Sequence, residues 1–147
     1  PTKFMPAINP YLTFEGNCEE AFNFYKSVFG GEFSYIGRFK DMPSDQPLPP
    51  SQAEKIMHVS LDIGKGTSLM GSDSSPEFGQ ATVIGNNFSI SINTDSKEEA
   101  DKLYNKLSAG GVITMPMNQT FWGAYFGMCT DKFKIQWMVN FDASPQK

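Results

Sequence analysis

The whole chain has one histidine, His58, and two cysteines, Cys18 and Cys129. A site built on several imidazoles is therefore excluded. The cysteines form no metal-spaced or redox motif, so free thiols are expected, the ordinary state in a reducing cytoplasm. Basic charge is scarce as well: 12 Lys and Arg against 16 Asp and Glu leave a net charge of −4. Nucleic-acid-binding modules normally carry a basic face, so no nucleic-acid partner is expected. No apolar run approaches the roughly 18 residues needed to cross a bilayer, so no membrane partner is expected either. No basic segment followed by an apolar stretch opens the sequence as a secretory signal would, and the cytoplasm is the expected address. Gly64-Lys65-Gly66 is too short for a phosphate loop, and no adenosylmethionine-type glycine loop follows the first strand. No cofactor is expected.

What the sequence does contain is one unit written twice. Tyr11-Leu12-Thr13-Phe14 precedes a helical stretch from Asn17 to Phe29 and the pair Gly30-Gly31. Ser89-Ile90-Ser91-Ile92 precedes Ser96 to Ala109 and Gly110-Gly111. Glu19-Glu20-Ala21 and Tyr25 return 79 positions on as Glu98-Glu99-Ala100 and Tyr104, and the glycine pair returns at 80. With 147 residues the chain is long enough for one domain with a real core. That domain is expected to hold two repeats, about 7–73 and 86–141.

Within each copy the hydrophobic period changes between two and 3.6. Ile8, Leu12 and Phe14 alternate with Asn9, Tyr11 and Thr13, which predicts a strand over Ile8 to Phe14. Pro10 marks it as an edge or a strand start, since proline donates no ladder hydrogen bond. Asn17 and Glu20 predict a capping box, and Ala21, Phe22, Tyr25, Val28 and Phe29 form one apolar stripe. Strands follow at Glu32 to Phe39, Lys55 to Ile63 and Thr67 to Ser72, the last two as a hairpin. The four-proline stretch Asp41 to Ala53 is a long loop, either a lid over a site or a connector. Asp73 to Gly85 is a polar linker at the boundary between copies.

In the second copy Phe88, Ile90 and Ile92 alternate with Asn87, Ser89 and Ser91 over Asn86 to Asn93. Ser96 and Glu99 predict a second capping box, and Ala100, Leu103, Tyr104 and Leu107 a second stripe. Strands follow at Val112 to Met115, Trp122 to Thr130 and Lys134 to Asn140, with a turn at Asp131-Lys132 that Asp131 stabilises. The tail from Asp142 to Lys147 is polar and expected to fray.

The order is βαβββ, twice: an α+β fold with each helix laid on a sheet. The polar strand positions then face away from the helices. Asn9, Tyr11, Thr13, His58, Ser60, Asn87, Ser89, Gln136, Met138 and Asn140 either line a ligand cleft between curved half-sheets or form a plain solvent face. Trp122, beside Gly123, suits a cavity mouth; Trp137 shares a face with Ile135 and Val139 and belongs to the core.

A paired βαβββ chain of this length resembles the vicinal-oxygen-chelate superfamily of glyoxalases, extradiol dioxygenases and bleomycin-resistance proteins. INPYLTFEGNCEEAFNFYKSVFGGE (Ile8 to Glu32), MHVSLDIG (Met57 to Gly64), LMGSD (Leu69 to Asp73) and TFWGAYFGMCTDKFKIQWMVN (Thr120 to Asn140) are similar to its PhnB-like branch, often labelled demethylubiquinone methyltransferase-like. The resemblance implies two βαβββ modules forming a glyoxalase-like curved-sheet cleft with helices on the outer face. It also implies a homodimer, since many members pair. Enzymes of the superfamily bind a divalent metal through one side chain from each first and last strand. Here those positions fall near Asn9, Met70, Asn87 and Met138, none of them a usual ligand for such an ion. The branch's aspartate-proline-phenylalanine-glycine turn is Asp131-Lys132-Phe133-Lys134 here.

The functional expectation is a small organic ligand bound in the inter-module cleft without the divalent metal. The ligand contacts would be Asn9, Tyr11, Ser60, Met70, Asn87, Ser89, Trp122 and Met138. Two alternatives stay open: an enzyme of divergent chemistry with His58 as its acid–base residue, either metal-independent or of the methyltransferase-like or glyoxalase/dioxygenase-type activity that the resemblance implies, or a module that serves mainly a homodimer.

Overall fold

The computed structural model describes residues 6–43, 47–64, 66–74 and 81–142. The lead-in (1–5), the middle of the proline-rich loop (44–46), Lys65 of the hairpin turn, part of the linker (75–80) and most of the tail (143–147) lie outside the described residues.

The chain divides into two compact units, Pro1–Val83 and Ile84–Lys147. The first contains β1 (Tyr11–Phe14), α1 (Cys18–Phe29), β2 (Phe33–Arg38), α2 (Pro50–Ala53), β3 (Ile56–Gly64) and β4 (Thr67–Asp73). The second contains β5 (Ile90–Asn93), α3 (Lys97–Ser108), β6 (Val112–Gln119), β7 (Ala124–Thr130) and β8 (Gln136–Asp142). Their sheets have the same order, β1-β4-β3-β2 and β5-β8-β7-β6. The outer strands β1 and β5 run parallel to β4 and β8, and the other pairs are antiparallel. This is the expected α+β architecture of two βαβββ modules.

The two long helices each cover one face of their own sheet: α1 lies on β3 and β4, and α3 on β6, β7 and β8. Buried Cys18, Ala21, Phe22, Tyr25 and Val28 of α1 meet Leu12, Phe14, Val59, Leu61 and Leu69. Gly71 makes that approach possible, because a Cβ there would sit 2.6 Å from the Phe22 ring. In the second unit Ala100, Tyr104 and Leu107 meet Cys129, Trp137 and Val139, all buried. Phe29 and Leu103 of the expected stripes are only half-buried.

Several expectations change. β1 begins after Pro10, so Ile8 is 89% exposed and outside the core; Pro10 stands just ahead of this edge strand, where its missing N–H costs no ladder bond. β5 begins at Ile90, which leaves Phe88 exposed. The proline-rich loop is not wholly irregular: a 3-10 turn spans Phe39–Asp41, and Pro50 starts the single-turn α2. β6 extends to Gln119, four residues beyond the expected end, and β7 begins at Ala124. Trp122 therefore lies in the β6–β7 turn and not on a strand.

The two helix starts are capped differently. Ser96 caps as expected, its hydroxyl accepting from the Glu99 N–H at 3.0 Å, but the expected box is not closed on Ser96: the Glu99 carboxylate accepts from the N–H of Asp95, one residue before the cap. Asn17 makes no side-chain cap bond. Asp73, at the end of β4, takes over: Oδ1 accepts from the N–H groups of Gly16 and Cys18 at 2.9 Å, and Oδ2 from that of Ile56 at 2.8 Å. A carboxylate aimed at a helix start also complements the helix dipole.

Removing Asp73 would leave three N–H groups without their acceptor. Asp73→Ala is expected to lower the unfolding free energy by about 3 kcal/mol or more in urea denaturation. Ser96→Ala is expected to cost about 1 kcal/mol, and Asn17→Ala no more than about 0.5 kcal/mol. Equal losses at Asn17 and Asp73 would refute this assignment of the cap.

Candidate functional site

On the open face of the first sheet, strand pairing fixes one row of side chains. Tyr11 pairs with Met70, Met70 with Ser60, and Ser60 with Tyr35. Directly paired residues project from the same face. Their neighbours Leu12, Leu69, Val59 and Leu61 are buried against the helix, so the row points away from it. His58 lies two residues from Ser60 on the same face and pairs with Gly37.

The two tyrosines converge on the histidine. The Tyr11 hydroxyl lies 3.1 Å from His58 Nδ1, and the rings stack with centroids 5.6 Å apart and planes at 23°. The Tyr35 ring lies 5.7 Å from the imidazole at 37°. Gly37 makes room for it, since a Cβ there would stand 2.5 Å from the Tyr35 hydroxyl oxygen. Tyr11 and Tyr35 are 48% and 49% exposed, so their rings remain open to a ligand. In the Nε2–H tautomer the Tyr11 hydroxyl donates to Nδ1 and the imidazole can donate its own N–H elsewhere. In the imidazolium form Nδ1 donates to the tyrosine oxygen. The cluster thus combines two aromatic walls with a hydrogen-bonding edge.

The sequence-derived candidates separate into groups. Tyr11, His58, Ser60 and Met70 share the open face of the first sheet, although Ser60 is buried. Asn9 is engaged elsewhere: it precedes β1, and its amide oxygen accepts the Ser68 N–H at 2.9 Å. In the second unit Asn87 is exposed and Ser89 half-buried, both ahead of β5. Met138 lies on β8, paired with Ser91 and Met128. Trp122 sits on the β6–β7 turn, 61% exposed, edge-on to Phe121 at 5.1 Å. Gln136 and Asn140 are engaged, donating to the Phe88 carbonyl ahead of β5 and to the Asn93 amide oxygen. Tyr35 was not singled out from the sequence; the Tyr-x-Gly spacing opposite His58 is the signal that marks it.

The four positions a divalent metal would use do not fit one. The Asn9 oxygen already accepts a backbone N–H, Asn87 lies outside the sheet, and Met70 and Met138 offer thioethers. Thioethers select soft ions, while hard and borderline divalent ions need charged oxygen, thiolate or imidazole. Among the described residues no group of three His, Cys, Asp or Glu is placed to hold a metal.

Neither cysteine is suited to nucleophilic work. Burial, and then the nearby Asp73 and Glu19 carboxylates, push the Cys18 thiol far above its ordinary range. Burial and Asp131 push Cys129 up to about 11.

The paired βαβββ modules are those of the glyoxalase fold. At the level of fold alone, a glyoxylase/bleomycin resistance protein/dioxygenase domain from Frankia sp. EAN1pec is similar with a TM-score of 0.66 at 14% identity, covering 98% of this chain and 96% of that one. Residues 6–140 match the model of the family described as 3-demethylubiquinone-9 3-methyltransferase, and the chain belongs to that PhnB-like family. Protein PA1353 from Pseudomonas aeruginosa is 43% identical with a TM-score of 0.80, covering 94% of this chain and 98% of its own. YjdN of Escherichia coli K12 is 34% identical over 90% of this chain and 93% of its own length. The PhnB protein of Bacillus cereus is 26% identical, with a TM-score of 0.72 and coverage of 92% and 99%.

Because both thiols stay protonated well above neutral pH, neither is expected to react with a disulfide reagent at pH 8 in the native protein. Both should react once denaturant is added. Rapid native labelling of either cysteine would contradict the burial described.

Proposed function

We propose that the protein binds a small organic molecule at the open face of the first sheet, between Tyr11 and Tyr35 and against His58, without a divalent metal at the superfamily positions. The observation that carries this reading is the Tyr11–His58–Tyr35 cluster, in which two half-exposed rings flank one imidazole. The cluster favours a ligand with a flat ring and at least one hydrogen-bond acceptor. Such a ligand gains stacking from the tyrosines and a directed bond from the imidazole. Met70 adds a polarizable, adaptable neighbour in the same row.

The 3.1 Å contact between Tyr11 and His58 also favours a second reading, in which His58 acts as an acid or base with Tyr11 as its partner. The geometry serves either role, and the divergent chemistry open to the family is then metal-independent.

A ligand-observed NMR screen of ring-containing acids, phenols and amides is expected to yield binders. For a hit measured by calorimetry, Tyr11→Phe and His58→Gln are each expected to cost about 1 kcal/mol, roughly fivefold in affinity. Hits whose affinity survives both substitutions would place the ligand elsewhere. The catalytic reading requires in addition that His58→Gln abolish any turnover found; undiminished turnover would remove it.

A further inference from the structure

The row in the second unit that matches Tyr11–Met70–Ser60–Tyr35 has a different chemistry. Ser91 pairs with Met138, Met138 with Met128, and Met128 with Met115. Three of the chain's eight methionines thus stand side by side on adjacent strands. They project from the face opposite α3, because Trp137, Val139, Gly127 and Cys129, their strand neighbours, are buried on the helix side. They are not core fillers. Met115 is 45% exposed, and Met128 and Met138 are partly exposed. Met117 shows the contrast: its sulfur packs where a Cβ on Gly127 would stand, on the helix side. The Tyr104 hydroxyl bonds to the backbone carbonyls of Met115 and Met128 at 3.0 and 3.1 Å, and so ties down the strands that carry two of the three.

We propose that Met115, Met128 and Met138 form a thioether site for the soft monovalent cation Cu(I). Directly opposed residues have Cβ atoms roughly 5 Å apart, and each methionine has three rotatable bonds with which to bring its sulfur to a shared point. Thioethers select Cu(I) over hard divalent ions. The flanking amides Asn93 and Asn140 are hydrogen-bonded to each other and supply no anionic oxygen that would favour a hard ion. The site uses donors and strands different from those of the ligand reading above, and it stands or falls separately.

Anaerobic titration of the whole chain with Cu(I) against bicinchoninate is expected to fill one site per molecule. M128L keeps volume nearly constant and removes the middle sulfur. It is expected to weaken binding at least about 10-fold, the low end of the loss seen even for outer-shell partners, while M42L in the first unit leaves binding intact. Carbon-13 methyl labelling should show the resonances of Met115, Met128 and Met138 shifting together when Ag(I), a redox-inert stand-in, is added. The proposal is overturned by an absence of stoichiometric binding, by wild-type affinity in M128L, or by ion uptake that leaves these three methyl signals unmoved, as capture by the thiols would.

Discussion

Buried backbone N–H groups must find acceptors, and in each unit one buried aspartate supplies several of them. Asp73 joins the loop into α1, the first residue of that helix and the start of β3 to the end of β4. Asp131 accepts from the N–H groups of Phe133 and Ile135 with one oxygen and from the Trp137 indole with the other. The two carboxylates occupy different places in the repeat: one organises the helix entry, the other the turn between the last two strands. The site depends on the first of them. The Tyr11–Met70–Ser60–Tyr35 row exists only while β1 to β4 keep register, and Asp73 holds the ends of β3 and β4 together. In the Asp131-Lys132-Phe133-Lys134 turn, Lys134 adopts a positive φ of 77°, in the left-handed region that favours glycine.

The two units show how one backbone can carry unlike surfaces. Topology, strand order and the parallel outer pair are the same in both, yet one open face carries tyrosine, serine and histidine and the other a line of thioethers. The helix-facing residues cannot diverge this freely, since each must fill space left by its neighbours. Open-face residues meet fewer packing demands.

Much of this was legible in the residues themselves. The helix stripes and the alternation around Val59 and Leu61 mark both helices and the long strands, because burial on one side imposes its period directly. Prolines and glycines mark most of the boundaries. What escaped depended on contacts between distant residues. Asn17 has the chemistry of a cap, but a carboxylate 56 positions later occupies that place. Asn9 and Asn87 continue the alternation of their strands, but the sheet pairing begins after them. The grouping of Tyr35 with His58, and of Met115 with Met128 and Met138, follows from register, which no local period encodes.

The placement of the tryptophans has a practical consequence. Trp137 is fully buried and Trp122 largely exposed, but both belong to the second unit, and the first has no tryptophan. Tryptophan emission therefore watches half of the molecule. A melting curve followed at its wavelength reports directly on the second unit, and far-ultraviolet circular dichroism recorded beside it reports on both. Agreement between the two signals is the measure of whether the repeats unfold as one cooperative body.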